Sequence, residues 1–199
     1  MKKKKVNPRN RPISTKTLDV NAILTEITKD GVFHGWLLML SSLGHYFDTT
    51  TDELLSIWKA ANDYSSTFTQ NGRSTDKNLA YVERRTGMTM PYPHLSASGI
   101  QTEGQLNSFK RKLQKNSLYA AFSLISGPIL MKELVSEDKL KESISRAYEL
   151  SDDIIDKKIT YHDLQWFLVT EYGLYLHNDG GYTALETCEK TFDIREKVS

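Results

Sequence analysis

Two stretches of this chain run in step at a constant offset of 86 residues, without a gap. Phe33 falls on Tyr119, Trp36 on Phe122, Leu38 on Leu124, Asp52 on Asp138 and Leu54 on Leu140. Farther along, Ala61 falls on Ala147, Ser65 on Ser151, Tyr81 on Phe167, Gly87 on Gly173, Met88 on Leu174 and Met90 on Leu176. Identity is low, and pairs such as Phe47 with Glu133 or Leu40 with Ser126 disagree. What recurs is an order of apolar faces, helix starts and helix ends, so both halves must accept the same local fold.

That recurring pattern is helical. Val20, Ile23, Leu24, Ile27, then Phe33, Trp36, Leu37, Leu40, Leu43 and Phe47 follow the 3.6-residue period, with Asp30-Gly31 expected to kink or break the element. Thr50 to Glu53 spells a capping box, in which a hydroxyl accepts from a first-turn amide and the carboxylate reaches back. The helix it opens carries Leu54, Ile57, Trp58, Ala61 and Tyr64 on one stripe and should end near Asn71-Gly72. Ser74 or Thr75 starts a third helix through Arg85, closed by Gly87 in the left-handed conformation that glycine adopts most easily. The second half repeats this with helices over about 105–134, Ser136 to Asp156, and from the Thr160–Asp163 capping box to Gly173, with a kink expected at Gly127-Pro128.

The expected architecture is therefore all-α: two tandem three-helix units over 19–90 and 105–176, joined by a Pro- and Gly-bearing linker, 91–104. A basic arm with Pro8 and Pro12 covers 1–18, and a tail covers 177–199. The segment Tyr175 to Thr183 holds a turn core, Asn178-Asp179-Gly180-Gly181, that suits a small β-ribbon, and the last ten residues should fray.

Net charge is +1, but it is unevenly spread. Residues 1–20 carry seven Lys/Arg against one Asp, 105–116 add four cations and no acid, and 117–199 hold nine basic and fifteen acidic residues. This suits either a nucleic-acid contact at the basic end or a solvated tail on a neutral body. The single Cys188 cannot close an internal disulfide, and its neighbours Glu186 and Glu189 disfavour a reactive thiolate. Lys2–Lys5 is followed by Asn7, Pro8, Arg9, Asn10 and Arg11 where an export signal needs an apolar run, and Trp36 to Leu43 is too short to span a bilayer. The expectation is a cytoplasmic protein with no membrane partner.

The opening Lys4-Lys5-Val6-Asn7-Pro8-Arg9-Asn10-Arg11-Pro12 resembles the start of small uncharacterised proteins common in phages and prophages of Gram-positive bacteria. Leu150-Ser151-Asp152 and Glu171-Tyr172-Gly173-Leu174 fit the later helices of that family, and Tyr64-Ser65 and Gly87-Met88 fit more loosely. The family usually has one such unit where this chain has two. The resemblance implies a phage or prophage origin, action in the host cytoplasm, and no catalytic residues to carry over. Accessory genes of that kind often encode inhibitors of host machinery, anti-CRISPR proteins among them. The implied partner is thus a host protein or protein–nucleic-acid complex such as a CRISPR effector.

Little in the sequence argues for catalysis. Asp152-Asp153-Ile154-Ile155-Asp156 matches the DDxxD string that holds magnesium in prenyl-transfer enzymes, but it has no second acidic motif, and the first unit places Ser66, Thr67 and Gln70 there. The five histidines lack ligand spacing, and neither a phosphate loop nor a nucleophile elbow is present. No enzyme, cofactor or metal is expected. The candidate contacts to nucleic acid or a partner are Lys2, Lys3, Lys4, Lys5, Arg9 and Arg11 in the arm, Arg73, Arg84 and Arg85 around the third helix, and Lys110, Arg111, Lys112 and Lys115. A helix–turn–helix over 51–87, and with it a small DNA-binding phage regulator, is the alternative reading, although the equivalent helix of unit 2 is a poor surface for a major groove. Trp36, Trp58 and Trp166 read as core, and any one found exposed would be an interface anchor.

Overall fold

A computed structural model describes residues 20–68, 74–96 and 100–185. The arm with its cations, Arg73, Cys188 and the end of the tail lie outside the described residues. Six helices follow in order: α1 (Val20–Tyr46), α2 (Thr51–Ser66), α3 (Thr75–Thr86), α4 (Glu103–Met131), α5 (Glu137–Ile155) and α6 (Tyr161–Tyr172). A two-stranded antiparallel ribbon, β1 (Leu174–Leu176) and β2 (Tyr182–Ala184), comes last, with Tyr175 opposite Thr183.

The offset of 86 residues survives in the helix ends. Glu137 opens α5 as Thr51 opens α2, and α6 begins and ends 86 residues after α3. Caps agree in kind. Thr50 accepts from the Glu53 amide and Glu53 from the Thr50 amide, Ser136 caps α5, and Ser74 and Thr160 cap α3 and α6. Gly87 and Gly173 close α3 and α6 at φ of 70° and 62°, where a Cβ would crowd the following carbonyl.

The two units do not pack as two bodies. Residues 35–44 of α1 are all buried, as is most of α4 from Asn116 to Leu130, so these long helices form a central pair rather than each showing one stripe. α1 packs along α4 and against α5 and α6, while α4 packs against α2 and α3. Each unit's long helix is thereby sheathed by the other unit's short helices, and one continuous apolar core results. Polar bridges follow the same crossed pattern. Ser42 Oγ donates to the Ser143 carbonyl at 2.9 Å, the Tyr172 hydroxyl to the Gly44 carbonyl at 2.5 Å, and Asn78 Nδ2 to the Ser123 carbonyl at 2.7 Å.

Gly31 does not break α1, which runs unbroken through it. Its role is close approach. A Cβ on Gly31 would strike the Cβ of Ser117, and one on Gly35 the Cβ of Ala121. These are twin positions at the 86-residue offset. Two such self-matched contacts, one turn apart and advancing together, mean that α1 and α4 run in the same direction about an approximate two-fold axis between them. The Trp36 indole donates to the Ala121 carbonyl across the same seam at 3.1 Å. α4 likewise continues through Gly127-Pro128 to Met131.

Candidate functional site

The approximate axis generates two clefts, one on each side of the central helix pair. Cleft 1, of about 990 Å³, runs along Thr25, Lys29 and Phe33 of α1 and Asn62 and Ser66 of α2. Cleft 2, of about 850 Å³, runs along Arg111, Lys115 and Tyr119 of α4 and Tyr148 and Asp152 of α5. Each of these five positions in one cleft is the twin of its counterpart in the other. Even the lent residues match: α4 contributes Leu113 to cleft 1, and α1 contributes its twin, Ile27, to cleft 2.

The two clefts differ in how they are lined and in their chemistry. The turn after β1 lines cleft 1: the Trp58 indole donates to the Gly180 carbonyl at 3.2 Å, and Asn178 Nδ2 donates to Asp30 Oδ1 at 2.8 Å. Among the described residues no such turn lines cleft 2, whose walls are α1, α4, α5 and Tyr161 at the start of α6. His34 lies flat on Tyr161, ring centres 3.8 Å apart and planes 4° apart. Burial pushes the His34 pKa below the ordinary histidine range, with Asp30 opposing in part, so the ring is held neutral. Burial also raises the phenols of Tyr148 and Tyr161, which stay protonated. The Tyr148 ring packs edge-on against Phe122 at 5.2 Å, and its buried hydroxyl has no hydrogen-bond partner.

The candidate cations fall into different places. Arg111 and Lys115, one turn apart on α4, line cleft 2, and neither takes part in a salt bridge among the described residues. Lys115 Nζ lies 5.9 Å over the Tyr119 ring. Lys110 is half-buried and Lys112 exposed on the same helix. Arg84 is exposed at the end of α3, whereas Arg85 is held by Glu137 of α5 and by the Tyr81 hydroxyl, which removes it from a groove-reading surface. The acidic string is divided as well. Asp153 and Asp156 face Lys158 at 2.7 and 3.8 Å, and only Asp152 lines the cleft. No three His, Cys, Asp or Glu side chains among the described residues are placed to share a metal ion.

Trp36 and Trp58 are buried, but Trp166 on α6 is 43 % exposed. Tyr175, Tyr182 and Leu185 in and just after the ribbon are exposed too, as are Met131 at the end of α4 and Ile155 at the end of α5. The twins of Trp166 and Tyr175 are Ala80 and Thr89. No described helix is long and apolar enough to cross a membrane. The sequence did not single out Tyr148 or Tyr161, nor place Arg111 at a cleft; the available signal was their contrast with twins Asn62, Thr75 and Thr25. No family model matches this chain, and no curated protein or solved structure matches it.

Proposed function

We propose that this chain is a non-catalytic binding protein that acts by occupying a partner protein through the face built from α6 and the ribbon. Trp166 carries the reading. A solvent-facing tryptophan costs apolar exposure and gains most when a partner covers it, which is why tryptophan leads the residues that anchor interfaces. Its twin position does the same structural work with Ala80, so the indole is not needed to fold the helix. The phage or prophage origin implied by the opening motif makes the partner a host protein, with a CRISPR effector or another defence component as the expected class.

The experiment is affinity capture by the full chain from host lysate, run beside Trp166→Ala with matched circular dichroism. The wild type should recover one dominant protein, and the variant should retain less than about a tenth of it, the scale of an interface hot spot. Equal recovery by both would remove this face from the function. Gel shifts across a salt series address the DNA-binding alternative, which requires a steep loss of affinity with salt.

A further inference from the structure

Cleft 2 differs from cleft 1 in ways that folding does not explain, and the twin cleft serves as an internal control. Where cleft 2 has Arg111, Tyr148 and Asp152, cleft 1 has Thr25, Asn62 and Ser66. Small neutral side chains therefore suffice to line the groove in this fold. The additions are the Arg111 guanidinium on the α4 wall, the Asp152 carboxylate on the facing α5 wall, and the rings of Tyr148 and Tyr161; they join an ammonium, Lys115, and a ring, Tyr119, whose twins Lys29 and Phe33 line cleft 1 as well.

We infer that cleft 2 is a binding site for a nucleotide, with phosphate held by Arg111 and Lys115, the base among the tyrosines, and Asp152 accepting from the base edge. The fork of Arg111 matches phosphate oxygens in pairs, and Lys115 adds a point charge beside it. Neither cation is neutralised by a carboxylate among the described residues, although Asp30 and Asp152 line the same cleft. A flat base suits the aromatic walls of Tyr119 and Tyr148, one face of Tyr161 being already covered by His34. A carboxylate only accepts, so Asp152 selects a base with adjacent N–H donors; guanine presents two. Asp30 is already engaged by Asn178, which leaves Asp152 for this role. A volume of about 850 Å³ lies within the usual range for small-molecule sites.

The test is isothermal titration of the full chain with GMP, UMP and inorganic phosphate. GMP should bind saturably and at least about tenfold more tightly than phosphate, with UMP weaker than GMP. Arg111→Ala should weaken GMP and phosphate alike by about tenfold or more, and Asp152→Asn should erase the preference for GMP over UMP while leaving phosphate unchanged. Lys29→Ala, in cleft 1, should leave GMP binding as it is. All three residues are exposed at the mouths of their clefts, so the variants should keep the fold, checked by circular dichroism. No saturable GMP binding up to about 1 mM would overturn the proposal, as would GMP no tighter than phosphate. GMP binding that survives Arg111→Ala, or that Lys29→Ala abolishes, would overturn it as well.

Discussion

Cleft 1 and cleft 2 are built on twin helices in the same register, yet cleft 1 is lined by the turn after β1 and neutral along α2, while cleft 2 carries Arg111, Asp152 and three tyrosines. The shared part is what the fold requires. The unshared part is what the fold leaves over for function. A duplicated unit thus separates two explanations that usually coincide, because the twin of any residue shows what the structure accepts in its place.

The largest predicted departure from symmetry is in the core. Leu38 is fully buried in α1, whereas its twin Leu124 is half-buried in α4. Leu38→Ala should cost about 3 kcal/mol and Leu124→Ala clearly less, read from paired denaturant titrations; equal losses would mean that the two long helices are sheathed alike. Smaller and symmetric effects are expected at the helix ends. Gly87→Ala and Gly173→Ala should each cost about 1 kcal/mol, since both sit in the left-handed region, and a twofold difference between their melting shifts would show that one cap is strained further by its surroundings.

Trp58→Phe tests the turn that lines cleft 1. Removing the indole donor to the Gly180 carbonyl should cost about 1 kcal/mol and speed amide exchange in the 177–181 turn, with no effect on cleft 2. The smallest effect is electrostatic. The folded-state pKa of His34 lies below its ordinary 6.5, so the unfolded chain takes up a proton first as pH falls. Its contribution is present above pH 6.5 and diminishes as pH drops from there through the folded value. His34→Phe keeps a ring against Tyr161 and should flatten the loss of stability between about pH 7 and pH 5; an unchanged slope would mean that another group sets it.

The sequence made the local structure legible. Thr50, Ser74 and Thr160 announce their helices through cap chemistry, and Gly87 and Gly173 announce the ends, because these signals act within a few residues. The crossed packing was not legible. Periodicity tells which face of a helix is apolar but not which helix will cover it, and α1 is covered by the other unit's α5 and α6. Gly31 shows the same limit: read locally, a glycine after an aspartate is a break, whereas here it is a place where another helix comes close. The pair Gly31 and Gly35, matched at their offset by Ser117 and Ala121, was the available clue to that seam. Arg111 and Lys115 were recognisable as candidates, but their direction depends on α5 standing opposite, which only the tertiary structure provides.

That α1 and α4 meet through twin positions is measured directly by a double-mutant cycle on Gly35 and Ala121. Gly35→Ala places a methyl against Ala121 and should cost about 1–3 kcal/mol, even though alanine favours a helix. Exchanging the two, Gly35→Ala with Ala121→Gly, should restore stability to within about 1 kcal/mol of the wild type, a coupling that only residues in contact can show. If the two changes instead add independently, within about 0.5 kcal/mol, the seam and the two-fold relation built on it are wrong.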